Sequence, residues 1–187
     1  ATQAFTGATA ITEGEWHQIA VIYDGAVAKI YIDGVEDAMA TLNPPVAAPG
    51  QNFLIGAVDS DNPTNFFDGT IDEVRVWDGA LTEDQLHFIM NQEIEADGSQ
   101  VKGKIVPINI SKNDINSVSW ASLEGYFPMN LFAYTNVKDE SDNGLIAAIR
   151  NLDTVDNQTA PLPYVSENDG SWGSASTWTN GNEGMII

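Results

Sequence analysis

The stretch Phe67-Asp-Gly-Thr-Ile-Asp-Glu-Val-Arg-Val-Trp77, followed closely by Ala80-Leu-Thr-Glu-Asp-Gln-Leu86, decides the fold that the sequence predicts. β-Branched and aromatic residues favour an extended strand in the first segment. Ile71 and Val74 have opposite parity along this strand, so a bulge near Asp72 is predicted to bring both side chains into one core. The second segment carries helix-start signals, so the pattern is a strand that runs directly into a helix.

The start of this helix is marked by local chemistry. Thr82 is the predicted N-cap, and Gln85 three residues later completes a capping box, in which each side chain accepts a hydrogen bond from the other residue's backbone N–H. The apolar spacing that follows predicts a helix over residues 83–92. Its buried face is predicted to consist of Leu86, Ile89 and Met90.

Several strands are predicted upstream of this unit. Trp16–Asp24 is almost continuously apolar, which is typical of a strand buried on both faces. Asp24-Gly25 and Asp33-Gly34 predict tight hairpin turns around an alternating strand at 27–33, because Gly accepts the positive φ of such turns. Residues 53–58 form the last predicted strand before the segment that opens this section.

Composition narrows the class of protein. The chain has 187 residues, 43% of them hydrophobic, which is enough for real cores. The formal net charge of -20 predicts repulsion of nucleic acid and anionic lipid. The chain has no cysteine, so disulfides and Cys-ligated metals are excluded. No stretch approaches the ~18 apolar residues of a membrane span, so membrane insertion is not expected.

Together these segments resemble the back half of a laminin-G-like domain, a concanavalin A-like and pentraxin-related jelly roll. The resemblance is carried by Gly14-Glu-Trp-His-Gln-Ile-Ala-Val-Ile-Tyr-Asp24, by Ala28-Lys-Ile-Tyr-Ile-Asp-Gly34, by Phe53-Leu-Ile-Gly-Ala57 and by the strand–helix unit. It implies an all-β fold, an antiparallel jelly-roll β-sandwich with one short helix and an irregular C-terminal extension. It also implies a recognition module rather than an enzyme, with the front half of the sandwich expected upstream of Ala1.

Three segments are predicted along the chain: residues 1–98 as the C-terminal part of this sandwich, 99–165 as an extension, and 166–187 as the truncated start of a further module. The extension contains Gly125-Tyr-Phe-Pro-Met-Asn130 and then the turn sequence Asp139-Glu-Ser-Asp-Asn-Gly144. This pair resembles the opening of a second laminin-G-like domain.

The loop after residue 58 is the predicted metal site. Asp59, Asp61, Asn62 and Asp68 offer the carboxylate and amide oxygens that Ca²⁺ prefers. In pentraxins the corresponding loop holds calcium through an acidic cluster, but here Val58 stands where the first acidic ligand would be. One calcium ion is expected. The alternative is a hairpin loop in which Asp and Asn side chains stabilise turns.

Paired carboxylates in the long strand invite comparison with laminarinase-like enzymes of this fold. A retaining glycosidase needs two carboxyl groups about 5–5.5 Å apart. Asp72 and Glu73 are adjacent and therefore point to opposite faces of a strand. No catalytic residue is predicted, and Glu73 is expected to form a surface ion pair with Arg75.

Aromatic residues and histidines complete the candidates. Two roles are open for the other large aromatic residues. They could stack on sugar rings, or they could pack in a core or on a following module. These residues are Trp77, Trp120, Trp172, Trp178, Tyr31 and Tyr126. His17 and His87 lie on different predicted elements, so a packed or surface role is expected rather than a metal site.

The function expected from these features is non-catalytic adhesion to, or recognition of, a glycan or surface polysaccharide. The module would belong to a larger protein that is secreted to the cell surface. If the source is a bacterium, this is the bacterial outer surface. Calcium is the expected cofactor. From Thr159 onward the chain resembles junctions in large adhesins of gliding Bacteroidota exported by type IX secretion, which implies a secretion-machinery partner. The alternatives are a structural spacer in a repetitive stalk and an accessory part of a polysaccharide-degrading hydrolase.

Overall fold

The computed structural model describes residues 3–45, 50, 52–59, 61–104, 118–130, 132–133, 135–150, 166, 168–171 and 174–177. In these ranges every strand pairing is antiparallel, and one short α-helix accompanies the strands. The prediction of an all-β antiparallel fold with a single short helix is therefore confirmed, and it is consistent with a concanavalin A-like β-sandwich.

The elements run in the following order: β1 (Ile19–Tyr23), β2 (Val27–Ile32), β3 (Val35–Thr41), β4 (Val74–Trp77), α1 (Glu83–Met90), β5 (Ile94–Asp97), β6 (Gln100–Gly103), β7 (Leu123–Phe127), β8 (Phe132–Ala133), β9 (Asn136–Lys138) and β10 (Ile146–Ala148). They form sheets of order β1-β2-β3, β10-β9-β8, β4-β7 and β5-β6. Short 3₁₀ turns lie at Trp120–Ser122 and Ala175–Thr177.

Both hairpin turns of the first sheet form as predicted. Gly25 has φ 98°, and Asp33 and Gly34 have φ 52° and 80°, as a primed turn requires. Gly34 is also needed for space, because an added Cβ would lie 2.8 Å from the Met90 sulfur. The turn thus lies directly against α1, where His87 Nε2 is 2.7 Å from the carbonyl oxygen of Gly34.

The first sheet buries one face more than the other. Tyr31 of β2 packs with Leu86 and Met90 of α1. On the opposite face of β1, Ile19 and Val21 are 50% and 66% exposed. The prediction of a strand buried on both faces is therefore wrong, because alternate side chains point to opposite faces and α1 packs against one of them.

The edge strand β3 is held by the N-terminal segment. The Asp37 carboxylate accepts hydrogen bonds from the backbone N–H groups of Ala8 and Thr9, at 2.6 and 3.0 Å. Further along, Gln3 exchanges hydrogen bonds with Asn43. Asp37 lies at the register irregularity between β2 and β3. A residue at such an irregularity can turn its side chain away from the regular alternation, and that of Asp37 reaches the N-terminal segment.

Two predicted strands are shorter than the sequence suggests. Residues 53–58 contribute one isolated bridge, between Val58 and Thr64, rather than a strand. The segment that decides the fold is a strand only from Val74 onward, because Glu73 has φ 54° and this left-handed conformation interrupts the extended chain. Asp72 lies before the start of β4, so the bulge predicted there does not form, and the register irregularity of β4 lies between Val76 and Trp77.

The helix begins as predicted and ends earlier. Thr82 Oγ1 accepts from the backbone N–H of Gln85, and Gln85 Oε1 accepts from that of Thr82, so the capping box is complete. The three predicted core residues are buried. The helix ends at Met90 rather than near residue 92.

The main core joins residues from both sides of position 98. Strand β4 pairs with β7, and the hairpin of β5 and β6 turns at Gly98. The buried cluster consists of Ile89, Ile94, Val101, Val118, Trp120, Leu123 and Tyr126. The division into three segments stays a prediction, but residues 118–127 pack with the end of the first segment. Strand β6 ends at Gly103, and residues 105–117 lie outside the described ranges.

Candidate functional site

Residues 53–59 and 61–69 form the two arms of a largely exposed loop, here called the aromatic loop. Its two arms are joined by backbone hydrogen bonds: Val58 and Thr64 exchange two of 3.0 Å, and Phe67 N–H donates to the Gly56 carbonyl at 2.8 Å. Asp59 and Asn65 have φ 64° and 49°, the left-handed conformation that Asp and Asn adopt more easily than most residues. The loop is therefore closed by its own backbone.

The predicted calcium ligands all lie on this loop. Asp59 Oδ1 accepts from the backbone N–H groups of Asp61 and Asn62, at 3.1 and 3.4 Å, which forms an Asx turn. The side chains of Asp59, Asp61, Asn62 and Asp68 are all on exposed residues. This is the turn-forming role that the sequence offered as the alternative to metal binding.

The fit to a metal ion is poor in the described part of the chain. There, no three His, Asp or Glu side chains converge closely enough to hold a metal ion. Asp59 already uses one carboxylate oxygen to stabilise the turn. Calcium binding by this loop stays a prediction, and we derive no step through it.

The aromatic loop exposes three phenylalanines that the sequence reasoning missed. Phe53, Phe66 and Phe67 are 69%, 55% and 59% exposed. A Cβ at Gly69 would lie 2.7 Å from the Phe67 ring, so a glycine at 69 lets that ring rest against the backbone. The available signal was the Phe66-Phe67 pair inside a loop otherwise rich in Asp, Asn and Pro, because a buried strand rarely begins that way.

The aromatic residues considered for sugar stacking do not form such a surface in the described ranges. Tyr31, Trp120 and Tyr126 are buried, and Trp77 packs against the main core. The stacking hypothesis is therefore wrong for Tyr31, Trp120 and Tyr126, because their side chains are buried, and the partly buried Trp77 packs as the alternative expected. Trp172 and Trp178 lie outside the described residues.

Glu73 and Arg75 form the predicted ion pair, but it is not on the surface. Their side chains are 8% and 9% exposed, and an Arg75 Nη2 lies 2.5 Å from Glu73 Oε2. The Tyr126 hydroxyl donates to the same carboxylate oxygen at 2.9 Å, and the guanidinium lies 5.4 Å from the centre of the Tyr126 ring. The expectation of a surface pair was wrong because β7 pairs with β4 in the same sheet and places the large Tyr126 side chain opposite Arg75.

The Arg75 side chain also binds carbonyl groups at the C-terminal end of α1. Its guanidinium donates to the carbonyl oxygens of Ile89 and Gln92, at 2.5 and 2.6 Å. The last carbonyls of a helix lack intrahelical donors and carry partial negative charge, so a cation here is favourable. Burial raises the pKa of Glu73, although Arg75 and the Tyr126 hydroxyl act to lower it. Burial likewise raises the pKa of Tyr126.

A second buried carboxylate organises the turn that follows β9. Asp139 accepts from the backbone N–H groups of Tyr126, Ser141 and Leu145, each at 2.9 Å. Burial acts to raise the pKa of Asp139, but these hydrogen bonds outweigh it and lower the pKa. Gly144 has φ 60°, so the glycine of the turn sequence is required by the backbone. The Asp139 carboxylate therefore stabilises the turn.

The histidines have separate partners. His17 Nδ1 lies 2.7 Å from Asp33 Oδ2, and His87 contacts the Gly34 carbonyl. Each histidine thus braces the turn between β2 and β3, as the packed role predicted.

A family model matches the N-terminal part of the chain. Residues 1–87 match the model of the concanavalin A-like lectin/glucanases superfamily. This range contains the first sheet, the aromatic loop, β4 and the start of α1.

The chain is also 25% identical over 143 residues to the sushi, von Willebrand factor type A, EGF and pentraxin domain-containing protein 1 of Rattus norvegicus, covering 67% of this chain and 4% of that protein. The Mus musculus protein of the same name is 28% identical over 96 residues, 46% of this chain and 3% of that protein.

A solved structure shows the same fold over most of the chain. It is that of a proposed carbohydrate-binding protein from Bacteroides ovatus, with a TM-score of 0.58 and 22% identity. The alignment covers 86% of this chain and 41% of that protein. The chain thus spans less than half the length of each of these relatives. Within the described ranges, no helix has the length and apolar character needed to cross a bilayer.

Proposed function

We propose that this chain is a non-catalytic glycan-recognition module of a larger surface-exposed protein, and that the aromatic loop is its binding surface. The observation that carries the proposal is the exposure of Phe53, Phe66 and Phe67 on one short loop. Exposed apolar patches on soluble proteins mark interaction sites. Phenyl faces bind the CH faces of pyranose rings, while the exposed Asn62 and Asn65 side chains can accept and donate hydrogen bonds to hydroxyl groups.

The comparisons support this class of ligand. The superfamily matched by residues 1–87 contains lectins and glucanases, and the Bacteroides ovatus protein of the same fold is described as carbohydrate-binding. Placement at the outer surface rests on the adhesin-like character of the sequence. Export by a type IX system rests on the stretch from Thr159 onward, most of which lies outside the described residues.

The absence of catalysis is part of the proposal. The carboxylate of Glu73 is occupied by Arg75 and by the Tyr126 hydroxyl, and its side chain is 8% exposed. A carboxylate held in this way is poorly placed to reach a glycosidic bond in a large polysaccharide. Release of reducing sugar from laminarin or agar by the purified chain would contradict this part of the proposal.

Affinity electrophoresis tests the proposal directly. The full chain is run through gels that contain a panel of polysaccharides, and retardation by at least one of them is expected. Phe66→Ala combined with Phe67→Ala should abolish the retardation. Ile146→Ala is the matched control, because Ile146 is 79% exposed on β10 and lies outside the aromatic loop. Free migration through every polysaccharide would contradict glycan recognition and favour the structural spacer.

The calcium prediction is decided by a separate titration. If Asp59, Asp61, Asn62 and Asp68 hold an ion, calorimetry with millimolar calcium should give heat, and the melting temperature should rise by mass action. No heat and no change in melting temperature would remove calcium and leave the glycan proposal in place.

A further inference from the structure

The charge around the aromatic loop restricts the chemistry of its ligand. The loop carries exposed carboxylates at Asp59, Asp61 and Asp68. From residue 30 to residue 74 the sequence contains no Lys and no Arg. The whole chain carries a formal net charge of -20. An approaching polyanion therefore meets like charge both at the loop and at long range.

The basic side chains that the structure describes elsewhere already have partners. In the described ranges, five of them form ion pairs with carboxylates, as Lys29–Glu36, Arg75–Glu73, Lys102–Glu95, Lys104–Glu93 and Lys138–Glu140. Arg150 donates to the carbonyl oxygen of Ile149. Recognition of sulfates or uronates needs clustered cations that form charge-assisted hydrogen bonds, and these pairs leave no such cluster in the described part of the chain.

The apolar component of the loop favours a neutral ligand. Phe66 and Phe67 present ring surface rather than charge, and such surface gains free energy by excluding water from another apolar face. A sugar ring without anionic substituents supplies that face and carries no charge to be repelled. A polyanion would gain the same stacking while bearing the electrostatic cost of the carboxylates.

We infer that the ligand of the aromatic loop is an uncharged polysaccharide, and that the loop carboxylates exclude anionic polysaccharides from the phenylalanine surface. This inference rests on the proposed function of the loop. Asp61 and Asp68 act as a charge filter, while Phe66 and Phe67 supply the contact.

The first test compares ligands by charge, using the full chain. Laminarin and galactomannan serve as neutral probes, and alginate and chondroitin sulfate as anionic probes. Binding to at least one neutral probe is expected, with a dissociation constant that changes less than about twofold between low salt and 0.5 M NaCl, since no ion pairs form. Phe66→Ala should weaken this binding about tenfold, whereas Phe66→Tyr, which retains the ring, should preserve it.

The second test removes the filter. Asp61→Asn combined with Asp68→Asn should increase retardation by alginate several-fold and leave neutral binding nearly unchanged. The matched control is Asp142→Asn with Asp169→Asn, which makes the same change in net charge at exposed positions outside the loop.

The outcomes separate the two proposals. Binding of alginate or chondroitin sulfate by the unmodified chain, as tight as that of the neutral probes, would overturn the inference while sustaining glycan recognition. Equal effects of the loop and control substitutions would also overturn it, because the exclusion would then be a property of net charge. Failure to bind every probe would contradict the proposed function itself.

Discussion

The hydroxyl group of Tyr126 donates a 2.9 Å hydrogen bond to Glu73, 53 residues earlier in the chain. It also lies 3.4 Å from the backbone N–H of Ile94, for which it is the acceptor. One phenol thus ties β7 to the residue before β4 and to the start of β5. Residues within 118–127 also belong to the same buried cluster as Ile89 of the helix.

Removal of this hydroxyl should measure the strength of the connection. Tyr126→Phe leaves the ring in place and deprives both Glu73 and the Ile94 N–H of a buried partner. We expect the free energy of unfolding to fall by about 1–3 kcal/mol. Urea denaturation followed by tryptophan fluorescence checks this. Tyr23→Phe is the control, because the Tyr23 hydroxyl donates to the Leu42 carbonyl in a more open setting and its loss should cost less. Equal losses for the two variants would contradict the role given to Tyr126.

Arg75 should be the most costly charged residue to remove. Arg75→Met leaves Glu73 buried without its cation and leaves the Ile89 and Gln92 carbonyls without a donor. Breaking one side of a buried ion pair costs about 3–5 kcal/mol. Calorimetric melting should show this loss, and Arg75→Lys should recover only part of it, because an ammonium group cannot reproduce the geometry of the guanidinium. The exposed pair of Lys29 and Glu36 provides the control, since Lys29→Met should change stability little. A small effect of Arg75→Met would contradict the buried-pair assignment.

The lowered pKa of the buried Asp139 carboxyl group should make the stability of the protein depend on pH. Its pKa is lower in the folded state than the ordinary value, so the folded protein binds the proton less readily than the unfolded chain. The stabilisation is therefore present above the unfolded pKa and is lost as the pH falls through the folded pKa. Asp139→Asn should lower the free energy of unfolding by about 1.5–3 kcal/mol near neutral pH.

The difference between the two proteins should shrink as the pH is lowered below about 4, where the carboxyl group of the unmodified chain becomes protonated. Melting temperatures recorded across an acid series measure this difference. Asp142→Asn, at an exposed neighbouring position, should show neither the loss nor the pH dependence. A constant difference at every pH would contradict the role of the Asp139 charge.

The capping box should make a measurable contribution to α1. Thr82→Ala removes the acceptor for the Gln85 N–H, and we expect a loss of about 1 kcal/mol. Thr70→Ala, on an exposed residue outside the helix, controls for the change in composition and should have little effect. Equal unfolding midpoints for Thr82→Ala and the unmodified chain would show that the cap is dispensable.

The candidate site was only partly predictable from the sequence. The sequence indicated a polar loop after Val58, because Asp, Asn and Pro in succession favour turns, and the loop is present. The sequence reasoning sought its sugar-binding rings among tryptophans and tyrosines, of which Tyr31, Trp120 and Tyr126 are buried. Which aromatic side chains remain outside depends on the faces that neighbouring elements cover, and residue type alone does not carry that information.

The sequence by itself determined the features that depend on neighbouring residues. The capping box at Thr82 and Gln85 and the turns at Gly25 and Gly34 follow from side-chain chemistry and backbone conformation within a few positions. The tertiary structure alone decided the pairing of β4 with β7, the burial of Arg75 and the exposure of Phe66 and Phe67. These features depend on contacts between residues far apart in the chain, where many partners have compatible hydrophobicity and only packing in three dimensions selects one.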